Sequence, residues 1–596
     1  NIGGMLSPAA LFLCLIPFLS ILGTYLVNFH QNNIILMFLI VIIAIIVLLT
    51  GFQKFIPKNL YPLAIFIIAI SLLYHRSLIS MYLWGWDIHL EYYFSNLVMI
   101  GSHWDPTISD RVNAMLSVVM LAPAYSIICN MSLTWVFKVI YPLLFSLVPL
   151  GLYRVFQKQT DDRIAFLSCF FFVSLFTFYT EMLALAKQQI AELFLVLLTL
   201  LIVAKHMNKM KRSFLFIVFG MSLAVSHYGT SYLYMFFLIA VWLILVSGAY
   251  PKMQKLTNKF YFKFGRKKEK LVGNPVPLKV NRTITSTFVL LFIAFTLTWY
   301  MHVSGSSVFN TIVRAGNHIA GTIYTDFLSP EVSQASNIIR SKTVSPLHEV
   351  TKVLHYITQF LIIIGILGSL FTRRRLNQNQ YEEYLAFSIV TFGSYFVIVV
   401  FPYSGFGTNR FYHLSLFFLA PFCIIGGIIF FKVVYKIIKA SWTNESVRIS
   451  LKVLSVFFAI FLLFNSGFIY EVTKDHPTSI SLNSTIDSPR FNDQEALCAK
   501  WLYGVKGNNP IYADERRAKL LTELGYVRIF RGDVNKIQDG SYIYFGNLNV
   551  VEDKVFVSRA VGKYYIRKFV IGYIDSRDII DHRNKVYDNG GAQVYY

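Results

Sequence analysis

Charge is what this chain lacks. Of its 596 residues only 14% are Asp, Glu, Lys or Arg, where soluble domains carry roughly a quarter, and that scarcity excludes an ordinary soluble globular protein. Acids are the scarcer sign, with Asp+Glu 31 against Lys+Arg 54 and a formal net charge of +23. The basic excess lies mostly in short connectors between apolar runs. That is the pattern of membrane topology and not of a nucleic-acid-binding face, so nucleic acid is excluded as a partner. Cysteine is also sparse. Cys14, Cys129, Cys169, Cys423 and Cys498 are scattered, four of them in or beside apolar segments, so neither a metal knuckle nor a disulfide framework can be assembled from them. The first apolar run lacks a small-residue cleavage pattern and is followed directly by another, so it is expected to be a span and not a removed signal peptide.

What the chain has is hydrophobic length. Apolar residues make up 55% and the mean hydropathy is +0.55. A bilayer core of about 30 Å needs about 20 apolar residues as helix, and fourteen runs approach that. The basic connectors 54–58, 154–163, 205–212, 252–282, 373–375 and 432–439 should all face the cytoplasm. They can do so only if one run does not cross. Run 112–128 follows a polar stretch, contains Pro123 and is separated from the next run by four residues, so it is expected to lie as a helix on the outer surface. Thirteen spans remain: 9–27, 34–49, 60–73, 133–153, 164–179, 190–204, 214–225, 230–245, 288–300, 353–371, 384–401, 414–431 and 453–469. The expected fold is thus an α-helical polytopic membrane domain, 1–470, with outer loops 74–130 and 301–352, followed by a C-terminal soluble α/β domain, 471–596, on the outer face.

In that last segment 493–503 reads as an amphipathic helix and 510–513 as a strand. Asp514 caps a helix ended by Gly525, and strands follow at 527–530, 541–545 and 555–558, with a closing strand pair in 584–596 turned at 588–591. No phosphate-cradling glycine motif or nucleophile elbow occurs there.

Polar residues at the outer rim are few, and ionisable groups at membrane level by default point to function. Trp84-Gly85-Trp86-Asp87-Ile88-His89-Leu90-Glu91 follows the third span. Asp87, His89 and Glu91 share one side of an extended segment, or Asp87 and Glu91 share one helix face. Either spacing can position a base or a divalent cation, or the three are solvated loop residues among interfacial tryptophans. Glu181 and Lys187 bracket the next outer turn and could pair with each other. His227 and Tyr228 occupy a turn so tight that both sit at the rim, where a histidine can also be purely structural. The turn 405–413 carries Arg410, whose planar fork suits phosphate or snorkels to the interface, and glycines that let backbone approach a ligand. With His302, Arg314, His318, Arg340 and Lys342 in loop 301–352, these residues describe a site suited to a lipid phosphate.

An acid in the first large outer loop, a surface helix, a second acid in the next outer turn and a soluble domain after the last span resemble the GT-C membrane glycosyltransferases, whose relatives include protein O-mannosyltransferases and the lipid A aminoarabinose transferase. WDIHLEYY, SHYGTSY, the arginine turn and the closing NKVYDNGGAQVYY are similar to a group of archaeal-type multi-pass membrane proteins with this plan. The resemblance implies a prokaryotic cytoplasmic membrane and transfer of a sugar from a polyprenyl-phosphate or diphosphate donor to a protein, lipid or glycan acceptor on the outer face. Asp87 and Glu181 would be catalytic, Asp87 as general base. Arg410, Lys187, His227, Tyr228, His89 and Glu91 would bind substrate, and in a metal-using branch Asp87, His89 and Glu91 would hold Mg2+ or Mn2+. Two features depart from the plan. The only tryptophan after Tyr470 is Trp501, without the sequon-reading motif of oligosaccharyltransferases, and two spans precede the one that carries the acid loop. A polymerase, ligase or flippase of lipid-linked glycans and a non-catalytic envelope scaffold are the alternative classes, though a transporter would place ionisable residues at mid-membrane, where these spans are nearly free of charge.

Overall fold

In the computed structural model the apolar runs form helices, the one conformation of a single segment that satisfies every backbone donor and acceptor without water. The structure describes residues 7–247, 282–305, 342–371, 382–400, 407–561, 568–580 and 583–596, with the isolated positions 310, 313, 314, 317 and 321. By length and hydropathy ten described helices can cross a membrane, from Pro8–His30 to Asn444–Asn465, or eleven if the bent pair Asp162–Ser174 and Phe176–Ala184 is one span. The expectation of thirteen also counts runs inside Lys209–Ser226 and Glu382–Val400, helices of 18 and 19 residues whose first turns are charged. The run expected on the surface is two short helices, Leu116–Val119 and Leu121–Ile128, which at about 1.5 Å per residue are too short to cross. Most of loop 301–352, including His318 and Arg340, lies outside the described residues, as do 401–406 of the arginine turn.

Where the basic connectors are described, their ends lie at one end of the bundle. Lys205 pairs there with Glu383, which also accepts from the N–H groups of Thr283 (2.7 Å) and Ile284 (2.8 Å). Lys452 lies over the Phe52 ring. The opposite end carries the C-terminal domain. Between the ends, helices Pro346–Phe371 and Thr408–Ile437 approach most closely where glycines face backbone. A Cβ on Gly426 would overlap the carbonyl oxygen of Leu361, and one on Gly365 that of Phe422. Small residues at a membrane helix interface allow this approach, and dispersion over the contact holds it.

The C-terminal domain is α/β, as its pattern of strands and helices implies. Strands β1 (Ile511–Ala513), β2 (Arg528–Ile529), β3 (Tyr542–Phe545), β6 (Lys585–Asp588) and β7 (Gln593–Tyr595) form one mixed sheet in the order β2-β1-β3-β7-β6, parallel around β1 and antiparallel around β7. β4 (Lys554–Val561) and β5 (Lys568–Asp575) pair separately. Helix Asp493–Val505 is closed by a capping box between Asn492 and Glu495. It packs on a core of Ile511, Leu521, Tyr544 and Val594.

The domain is bonded to the bundle through the chain that follows the third span. Ser80 donates to the Phe491 carbonyl (2.7 Å), the Tyr82 hydroxyl to Asp493 (2.9 Å), Gly85 N–H to the Pro489 carbonyl (3.1 Å) and Arg76 to Ser479 (2.7 Å). A test of the helix contact is Gly426→Ala. It is expected to destabilise the protein by about 1–3 kcal/mol, because backbone must shift. Gly393→Ala, with nothing among the described residues within 4 Å of its added Cβ, should not destabilise it. Thermal unfolding of both variants in detergent checks the contrast.

Candidate functional site

Asp87 stands at the N-cap of helix Ile88–Gly101 but makes no capping bond with its side chain. The carboxylate goes instead to Lys187, 2.9 Å away. One turn along the same face, Glu91 meets the same ammonium at 3.0 Å and accepts from the Lys187 backbone N–H at 3.2 Å. Of the alternatives open in the sequence, the structure therefore adopts the helix face shared by positions i and i+4. Lys187 is 4% exposed, Glu91 not at all, and Asp87 49%. One acid is sealed and the other opens to solvent.

Local sequence explains the approach. Gly85 has φ +117, and a Cβ there would lie 2.6 Å from that of Ala184, so glycine alone lets the Trp-Gly-Trp-Asp turn press against the turn preceding Lys187. Lys187 is in turn the second residue of helix Ala186–Val203, which fixes its stem. Arg410 is the third residue of helix Thr408–Ile437, with its guanidinium folded over Gly407, where a Cβ would come within 3.2 Å of Nε.

Burial acts to raise the Asp87 carboxyl, but Lys187, with Arg410 and Arg111 further off, holds it down at about 2. Burial prevails at Glu91 and pushes that carboxyl above the ordinary range, against the pull of Lys187. His227 and Tyr228 complete the cluster. Lys187 and Arg410 lie within electrostatic reach of His227, and Tyr228 within that of Lys187. His227 shares a hydrogen bond of 2.8 Å with the Thr230 hydroxyl. Glu181 is tied to the same turn, since Asn409, beside Arg410, donates to it at 3.1 Å.

His89 is not part of this face. It is fully buried on the other side of the helix, with Nδ1 2.6 Å from Glu523 of the C-terminal domain, so its place is in the junction and not beside Asp87. The trio Asp87, His89 and Glu91 accordingly does not converge on a cation. Lys187 occupies the space between the two acids, and among the described residues no group of three or more His, Cys, Asp or Glu could hold a metal. These residues do not fit a resident Mg2+ or Mn2+.

Four further groups enter through tertiary structure. The Lys519 ammonium lies 5.4 Å from the Trp86 ring centroid and within reach of the Asp87 charge, so the C-terminal domain adds a cation to the rim. Inside the bundle, Glu192 pairs with His413 at 3.2 Å, both with no exposure, and accepts from Gln188 at 3.0 Å. Lys138, buried in the span Leu133–Gln159, donates to the carbonyls of Ile79 (3.1 Å) and Tyr82 (3.0 Å). The spans are therefore less free of charge than expected. Glu192 and Lys138 were visible as lone ionisable residues inside apolar runs; Lys519 and Glu523 carried no local signal.

Two outcomes follow from this geometry. Lys187→Met leaves Glu91 buried without a partner and is expected to cost about 3–5 kcal/mol, whereas Lys187→Met with Glu91→Leu should recover most of it; unfolding of single and double variants checks this. Asp87, held near 2 against an ordinary 3.8, gives stability that is present above its ordinary value and lost as pH falls through 2. The stability difference between wild type and Asp87→Asn is thus expected to be flat from about pH 5 to 8 and to shrink below about pH 4.

The family model described as "Predicted membrane protein (DUF2206)" matches residues 212–595. No curated protein matches the chain. Among solved structures the chain is similar to the Archaeoglobus fulgidus oligosaccharyltransferase in the apo form, at 12% identity and TM-score 0.46 over 83% of this chain and 71% of that one. It is also similar to that enzyme in complex with Zn and sulfate, at 12% identity and TM-score 0.44 over 86% and 73%. A third is ArnT from Cupriavidus metallidurans bound to undecaprenyl phosphate, at 10% identity and TM-score 0.43 over 90% and 97%.

Proposed function

The chain belongs to the DUF2206 family of membrane proteins, and on that premise we propose that it is a GT-C-type glycosyltransferase. It moves a sugar from a polyprenyl-phosphate or diphosphate donor to a protein, lipid or glycan acceptor, on the outer face of a prokaryotic cytoplasmic membrane. One observation carries the reading: two carboxylates a helical turn apart meet one buried ammonium beside an arginine, at the end of the bundle opposite the Lys205–Glu383 pair. Among the described residues singled out in the sequence, acids for the acceptor and cations for a lipid phosphate occur together nowhere else.

In this mechanism the half-exposed Asp87 accepts the acceptor proton as the new glycosidic bond forms. The bond between sugar and phosphate breaks, and the charge left on the phosphate is met by Arg410 and Lys187. His227 and Tyr228 hydrogen-bond to the substrates, and Glu181 positions the acceptor. Glu91, sealed from solvent, holds Lys187 in place and touches neither substrate. Lys519 and Glu523 give the C-terminal domain a part in the site, as a cover over Trp86 and a clamp on the helix that bears Asp87.

The deciding experiment is a transfer assay in nanodiscs with polyprenyl-phosphate sugars and cell-envelope extract. Asp87→Asn is expected to lose at least about a hundredfold in transfer, the scale of general-base catalysis, while keeping its affinity for donor. Arg410→Ala should weaken donor binding by about tenfold or more. Equal transfer by wild type and Asp87→Asn would remove Asp87 from the chemistry, and no transfer by wild type with any donor would return the scaffold reading.

A further inference from the structure

A second polar cavity lies apart from the Asp87 cluster. It has a volume of about 520 Å³ and opens between the end of helix Pro8–His30, the chain around Tyr82, and the C-terminal domain. None of Asp87, Glu91, Lys187, His227 or Arg410 lines it.

Its charges can be accounted for one by one. Asp487 is paired with Arg516 and Arg517 and accepts from the Tyr573 hydroxyl. Asp493 accepts from Tyr82, and Glu495 from the backbone N–H groups of Asn492 and Asn547, each at 3.0 Å. Glu552 pairs with Lys554, and Arg517 is shared between Asp487 and Asp514. Every acid on the wall thus has a hydrogen-bond or ion-pair partner. Arg490 is the exception: among the described residues its guanidinium forms no hydrogen bond and no ion pair, the charge of Glu495 acting on it only from beyond ion-pair distance. Two residues before it, the Ser488 hydroxyl is buried with no hydrogen-bond partner among the described residues. A cation and a hydroxyl without partners among the residues that line one cavity call for an anion with acceptor oxygens.

The other boundary says what carries that anion. Leu11, Leu15, Phe18, Leu22, Tyr25 and Phe29 follow one another at three- and four-residue spacing along Pro8–His30, and each is about half exposed or more. They form one apolar stripe along the helix. Its last member, Phe29, is also a wall of the cavity. A hydrocarbon chain lying on the stripe would bring its headgroup to Arg490.

We propose that this cavity is the headgroup site of a membrane lipid with an anionic phosphate, bound by Arg490 and Ser488, its acyl or isoprenoid chain lying along the stripe. It is independent of the transferase reading and stands or falls by lipid binding alone.

The test uses full-length protein delipidated in detergent. Native mass spectrometry follows retention of palmitoyl-oleoyl phosphatidylglycerol, the phosphatidylcholine of the same chains, and inorganic phosphate. Wild type is expected to retain phosphatidylglycerol at one per chain, at least about tenfold more tightly than phosphatidylcholine, and not to retain inorganic phosphate. Arg490→Gln should remove the preference, and Arg490→Lys should keep part of it. Phe29→Ser, at a position already 57% exposed, should weaken phosphatidylglycerol without touching a charge, so the test survives if Arg490→Gln fails to fold. Equal retention of both lipids, retention unchanged in Phe29→Ser and a folded Arg490→Gln, or retention of inorganic phosphate at lipid-like concentration would overturn the proposal.

Discussion

An ammonium enclosed in a membrane protein is tolerable only when acceptors meet it at contact distance; Lys138 has two backbone carbonyls, and Lys187 has the carboxylates of both Asp87 and Glu91. Much of the domain-bearing end follows from that requirement. The two acids must lie one turn apart on one face, so the segment after Asp87 must be helix. That helix must press on the turn before Lys187, so position 85 must be a glycine in a left-handed conformation against Ala184. The opposite face is then committed to His89, which is paired with Glu523. A single buried charge thereby couples two elements of the bundle to the C-terminal domain.

A second polar contact lies deeper and shares the same helices. Lys187 and Glu192 are on Ala186–Val203; Arg410 and His413 are on Thr408–Ile437. The Glu192–His413 contact, braced by Gln188, fixes the rotation and height of one helix relative to the other. In lipid an unmatched polar group is costly, so sliding by one residue is penalised at both levels at once. Arg410 is therefore held in a set relation to Lys187 although the two side chains come from segments more than two hundred residues apart.

Much of this organisation is legible in the sequence, for physical reasons. Hydrophobic length and basic connectors mark the spans because the bilayer demands both, and alternation with turn residues marks the C-terminal strands. Asp87, Lys187, His227, Tyr228 and Arg410 stand out because rim polar residues are rare in this chain. The misses have equally specific causes. His89 shares one side with Asp87 and Glu91 only if the segment is extended; helical geometry turns it away. The span expected at 164–179 bends by 60° near Leu175, where neither glycine nor proline marks a break. Lys519 and Glu523 reach the site through the docking of a separate domain, which no local pattern encodes. Glu192 and Lys138, although visible as lone ionisable residues, do not lower the mean hydropathy of their runs enough to mark them as more than spans.

The same ion pairs that build the site set a condition on its chemistry. A carboxylate held near 2 is a feeble base at neutral pH, since efficient general bases titrate close to the working pH. On the proposed reading the donor itself removes the difficulty. A lipid phosphate arriving at Arg410 and Lys187 divides their charge between itself and Asp87, and each fraction withdrawn from Asp87 raises its basicity. Glu91 keeps Lys187 from following the phosphate away, because its own carboxylate is sealed and has no other partner among the described residues. The base then becomes competent only with donor in place, which couples proton removal from the acceptor to the presence of a sugar to transfer. The cost is a resting site with two acids and several cations held at close quarters, and the helix packing around Gly85, Glu192 and His413 is what sustains it.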